Sequence, residues 1–160
     1  LENSSIHLLL THTHYRFYNV LKKGMMTLTK MEETGRLMNQ QILEDWISAL
    51  DALNRQIKQW VADREQSGSL SIREVPVTKN EEYIGSYQVN MLVLLSNNNH
   101  VDICPIGRFA LGAIGRVDFT NYKKTFPFLY SSRKGWLSLD SRKPLTETLF
   151  NELLDQLLDN

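Results

Sequence analysis

The sequence predicts an α+β domain: a long N-terminal amphipathic helix, an antiparallel β-meander of about five to six strands, and a C-terminal amphipathic helix. Three observations predict it. Between Ile42 and Val61, the residues Leu43, Trp46, Ile47, Leu50, Leu53, Ile57, Trp60 and Val61 fall at the i, i+3, i+4, i+7 spacing of one helix face. From Leu70 the apolar period drops to two, with glycines at hairpin-like intervals and no helix-length segment between strands. After Pro144 a second helical face returns, carried by Leu145, Leu149, Phe150, Leu153, Leu154, Leu157 and Leu158, with Glu147, Glu152 and Asp155 toward water.

Taken in order, the chain opens on a segment unlike the rest. It ends in the basic stop Lys22-Lys23-Gly24 and is followed by Met25-Met26, which reads as an internal start. We therefore divide the chain into a leader or N-terminal arm over residues 1–26 and one α+β domain over residues 27–160. The helical pattern runs from Thr27 to Gln66, with a break expected at Gly35, since glycine costs about 1 kcal/mol against alanine inside a helix.

The seam Leu43, Trp46, Leu50, Leu53, Ile57, Trp60 also fits heptad a and d positions. The flanking e and g positions, Ile42, Ile47, Ala49, Asn54, Gln56 and Val61, carry no charge, so the stripe is wider than a two-stranded seam. It predicts a helix lying on its own sheet. A helix-mediated homodimer is the competing arrangement, and we expect a monomer or homodimer.

Ser67-Gly68-Ser69 supplies a helix stop. Leu70–Val77 reads as an edge strand because it contains Pro76, and Thr78–Glu82 as a charged loop. Tyr87–Leu95 is apolar on both faces along half its length, which predicts a central strand. Asn97-Asn98-Asn99 is a tight turn into His100–Cys104, closed by Pro105. Short strands follow near Arg108–Leu111, Arg116–Thr120, Phe126–Tyr130 and Trp136–Leu139, and Pro144 is expected to open the last helix.

Composition bounds function as well as fold. A chain of 160 residues fits one domain, and equal numbers of bases and acids, 18 each, give it no net charge with which to capture polyanions. The single cysteine, Cys104, excludes an internal disulfide framework and points to the cytoplasm. The apolar run Met91–Leu95 is far short of the ~20 residues that span a bilayer, so no membrane association is expected.

Candidate chemistry falls short at each motif. The run Leu8-Leu9-Leu10-Thr11-His12-Thr13-His14 resembles the zinc-loading opening of metallo-β-lactamase-like hydrolases, and strand alternation would put His12 and His14 on one face. Arg16 and Phe17 stand where that family places its Asp and His, and a cation there repels a metal. Gly107 and Gly112 have the spacing of a phosphate-binding loop, but Ala113-Ile114 replace the Lys and Ser/Thr that must reach phosphate and magnesium. Gly115-Arg116-Val117-Asp118 looks like the first metal-binding acid of restriction-endonuclease-like nucleases, yet no acid lies between Phe126 and Leu139 to complete the pair. Cys104 has no basic neighbour closer in sequence than Arg108 and reads as a buried, inert thiol. We expect no catalytic residue, no metal and no cofactor.

One local signal remains. Residues 103–143 carry Arg108, Arg116, Lys123, Lys124, Arg133, Lys134, Arg142 and Lys143 against Asp118 and Asp140 alone. Aromatic residues are interleaved with them, the composition of a sheet that stacks single-stranded nucleic acid. The competing reading is that the aromatics are core and the cations solvated turns. The function expected is a non-catalytic protein–protein interaction module, an accessory subunit or an inhibitor or immunity-type protein. Nucleic-acid binding through residues 103–143 is the alternative, and a metal-dependent hydrolase or nuclease stands third.

Overall fold

The structure, a computed structural model, describes residues 3–107 and 113–159, with side chains from Tyr18 onward. The chain divides into two compact units, Leu1–Gln40 and Gln41–Asn160.

The first unit is helical. It belongs to α1, which spans Asn3–Trp60 with no proline in its 58 residues. The strand expected ahead of His12 and His14 is therefore helix, and strand alternation no longer places these two residues on one face; their side chains lie outside the described residues. The break expected at Gly35 does not occur. One glycine costs about 1 kcal/mol, too little to stop a helix whose neighbours on both sides propagate it. Thr27, Thr29 and Thr34 turn their hydroxyls back to the carbonyls of Lys23, Met25 and Lys30 at 2.8–2.9 Å.

The second unit holds the remaining elements. The helix bends locally at fully buried Val61 (φ −105°), whose N–H still donates to the Ile57 carbonyl at 3.1 Å, and a short α2 over Ala62–Gln66 carries the helical run to its predicted end. Gly68, at φ +74°, then reverses the chain. Six strands form one antiparallel meander in chain order: β1 Ser71–Glu81, β2 Gly85–Ser96, β3 Asn99–Gly107, β4 Gly115–Thr120, β5 Thr125–Ser131 and β6 Gly135–Ser138. The α+β architecture is the one the periodicities predict.

Several boundaries differ, each for a reason that lies in pairing. The expected loop Thr78–Glu82 is mostly strand, because β1 stays in register with β2 as far as Glu81 opposite Gly85. Charges such as Lys79 and Glu81 suit an edge strand, which must discourage further pairing. β2 is second from the edge rather than central. Its apolar character on both faces arises because Tyr87 and Val89 are buried at one end while Leu92 and Leu94 are buried at the other. Pro105 sits within β3 instead of closing it. Pairing with β2 ends at Ile103, so the N–H that Pro105 lacks is not required by that ladder. The strand expected over Arg108–Leu111 lies outside the described residues.

The last helix, α3, covers Glu147–Leu158 and starts later than Pro144. Pro144 bridges to Leu137 instead, and Thr146 caps the helix by accepting from the Leu149 N–H at 3.2 Å.

The second part of α1 and α3 cover one side of the sheet. Trp46, Leu50, Leu53 and Ile57 of α1 and Phe150, Leu154 and Leu157 of α3 are each 2% exposed or less. Beneath them lie Leu92, Leu94, Ile103, Val117, Phe119 and Phe128, equally buried. Trp46 meets Trp136 at 6.0 Å and Trp60 meets Phe150 at 5.4 Å between ring centroids. The wide stripe of residues 42–61 thus packs on its own sheet.

Candidate interaction surfaces

Strand alternation sends His100, Asp102 and Cys104 of β3, and Arg116, Asp118 and Thr120 of β4, to the other side of the sheet. Asp102 faces Thr120 across the strands and Cys104 faces Asp118, so two carboxylates and a thiol share one small area.

The polar groups there are largely spent on one another. Arg116 donates to both oxygens of Asp118 at 2.7 and 2.9 Å, a bidentate fork within one strand. The hydrogen bond to Asp118 raises the Arg116 pKa further and keeps the guanidinium charged. Asp118 is consequently a neutralised carboxylate on its strand, and the nuclease-like reading of Gly115–Asp118 gains no second acid. Burial raises the Cys104 pKa, as do the nearby carboxylates Asp102 and Asp118, while Lys79 only partly opposes them. A nucleophilic thiol requires the opposite shift. Among the described residues no group of three or more His, Cys, Asp or Glu could hold a metal ion.

Asp102 is the exception to this mutual satisfaction. It is 4% exposed, its Oδ2 accepts from the Tyr122 hydroxyl, and its Oδ1 has no partner. Tyr122 reaches it from the β4–β5 turn with φ +65°, its N–H donating to Thr120 Oγ1 at 3.0 Å. The ring is 69% exposed and 5.9 Å from His100, so only the phenolic tip is tucked in. The hydrogen bond to Asp102 pushes the Tyr122 pKa up to about 12, with burial and the carboxylate charge adding to it.

Because the folded pKa exceeds the ordinary value near 10, the contact stabilises the fold fully below that pH and is lost as pH rises through about 12. Absorbance at the phenolate band should show one tyrosine titrating near that value, and the step should vanish in Tyr122→Phe. A difference between the wild-type and variant curves centred near the ordinary value of about 10 would overturn the contact.

The basic positions do not form one face. Arg108 lies outside the described residues, and Arg116 is consumed by Asp118. Lys124 donates to Gln156 at 2.9 Å and lies 4.9 Å from the Phe126 ring centroid. Lys123 shares that β4–β5 turn and is exposed. In a meander, consecutive turns fall at opposite ends of the sheet. Exposed Arg133 and Lys134, between β5 and β6, are therefore at the end away from Lys123, Arg142 and Lys143. Phe119, Phe128 and Trp136 are buried in the core, leaving Tyr122 as the exposed aromatic of the described part of this region.

Most of the exposed large apolar side chains among the described residues lie elsewhere. Along α1, Tyr18, Val20, Leu21, Met25, Met26, Leu28, Met31, Leu37 and Met38 are 53–70% exposed. Single exposed apolar residues are ordinary, but nine lie within 21 residues here, and Val20, Leu21, Leu28, Met31 and Met38 among them share one side of the helix. The sequence reading passed over both features. The band was legible in the heptad recurrence of Leu21, Leu28, Met31 and Met38. The Asp102–Tyr122 contact left only the polar alternation of β3 and β4 as a clue.

Compared with protein-family models, curated proteins and solved structures, the chain matches none.

Proposed function

We propose that this chain is a non-catalytic protein–protein interaction module, an accessory subunit or an inhibitor or immunity-type protein, acting in the cytoplasm through its surface. The observation that supports it is the exposed apolar band of α1 between Tyr18 and Met38. A single helix in water is marginal, and between Tyr18 and Met38 this one carries two glycines and three β-branched threonines that lower its intrinsic propensity. Packing of its apolar band against a protein partner supplies what propensity does not. No helix among the described residues is long and apolar enough to cross a membrane.

The sheet side around Asp102 fits this reading too. Arg116 and Asp118 are arranged to satisfy one another, and burial raises the Cys104 thiol pKa.

Cross-linking of the chain in the cells that make it, followed by mass spectrometry of the linked peptides, tests the proposal. Protein–protein links should concentrate within residues 18–38. Robust turnover by the isolated chain, abolished by one point substitution on the sheet, would instead make it an enzyme. Binding of single-stranded oligonucleotide that weakens steeply with salt would favour the basic positions of residues 103–143.

A further inference from the structure

We propose that the partner of the α1 band is a second copy of this chain, joined along the seam Leu21, Gly24, Leu28, Met31, Gly35 and Met38. This deepens the interaction-module reading and rests on it.

The spacing is the first argument. These positions alternate steps of three and four through residues 21–38, the a and d rhythm by which one helix meets another like itself. Leu21, Leu28, Met31 and Met38 are 53–66% exposed, so no described residue of the chain covers the seam. Ile42 continues the rhythm by one step, at the start of the part of α1 that packs on the sheet.

Charge placement is the second. With the seam at a and d, Lys22, Lys23, Lys30, Glu33 and Arg36 all occupy the outward b, c and f positions. The flanking e and g positions hold Val20, Met25, Thr27, Thr34 and Asn39, with Glu32 as the one charge. A copy can therefore approach without meeting cations head-on, and the apolar flanks Val20 and Met25 widen the contact.

The two glycines are the third. A β-carbon added at Gly24 or Gly35 would meet nothing within 4 Å, so nothing described in this chain calls for glycine there. On the seam, both would let a second backbone come close.

Area agrees with this occupant. Tyr18, Val20 and Met25 together with the four large seam residues offer roughly 700 Å² per chain, counting on the order of 100 Å² for each side chain. A stable interface of standard size buries about 800 Å² per partner.

The test uses the full chain. Light scattering at tens of micromolar should give at least twice the 18.6 kDa of one chain. The pair Leu28→Glu and Met31→Glu should reduce it to one chain, with at least a ten-fold weaker self-affinity. Met26→Glu with Leu37→Glu is the matched control. Both are exposed to a similar degree, 60% and 57%, but they lie off the seam and should leave the mass unchanged. Tryptophan emission checks folding independently, since Trp46, Trp60 and Trp136 all belong to the second unit.

A wild-type mass of one chain overturns the proposal, and so does a control pair as disruptive as the seam pair. So does a single-chain wild type that floats with anionic vesicles and loses this in the seam variant, which would make the band a lipid-binding surface. Failure of self-association alone leaves the interaction-module reading intact if cross-links from residues 18–38 reach a different protein. That reading fails when no protein is linked there.

Discussion

Trp46→Ala is expected to lower the unfolding free energy of the second unit by about 3–5 kcal/mol, the range for deleting a large buried aromatic side chain. The residue is 1% exposed, with its ring against Trp136 and its indole N–H donating to the Tyr87 hydroxyl at 3.1 Å. Removing it opens a cavity where α1 meets the sheet and also leaves the Tyr87 hydroxyl without that donor. Trp46→Phe keeps most of the volume and should cost less, the difference reporting the lost indole contacts. Urea unfolding followed by far-ultraviolet circular dichroism measures both. A loss below about 1 kcal/mol for the alanine variant would show that α1 does not depend on this anchor.

The second large effect falls on the residue beneath that ring. A β-carbon on Gly115 would lie 2.3–2.7 Å from three atoms of the Trp46 six-membered ring, distances that no real contact tolerates. Gly115→Ala should therefore cost about 1–3 kcal/mol through overpacking, because the rigid indole is wedged between helix and strand. Glycine is present here for space, since its φ is not in the left-handed region. The two effects should also be coupled. In Trp46→Leu the shorter side chain leaves room for the added methyl, so the double variant should lose less than the sum of the singles by more than about 0.5 kcal/mol. Strict additivity would show that the methyl is accommodated some other way.

These expectations separate what is local in this chain from what is not. The helix face of residues 42–61 was legible because periodicity is a one-dimensional property: Trp46, Leu50, Leu53 and Ile57 lie on one side whatever they meet. The turn at Asn97 was legible for a similar reason, since asparagine tolerates the φ of +51° it adopts. Pro76 correctly marked β1 as an edge strand. Gly24 and Gly35 show the limit of such reasoning. Propensity weighs each against alanine, while the length of the helix around them decides whether it continues.

Long-range pairing decided the rest. Thr78–Glu81 became strand because β2 runs opposite, and Pro105 could lie inside β3 because β2 had stopped pairing there. Arg116 stood among eight basic residues in the sequence, yet its charge is taken up by Asp118 on the same strand face. The aromatics interleaved with those bases turned inward as Phe119, Phe128 and Trp136. Among the described ones Tyr122 turned out, to a carboxylate 20 residues earlier in the chain. Spacing along a chain sets which side chains share a face, by the pitch of the helix and the pleat of the strand. Which charges are cancelled, and which oxygen of Asp102 is left without a donor, depends on neighbours that only folding brings together.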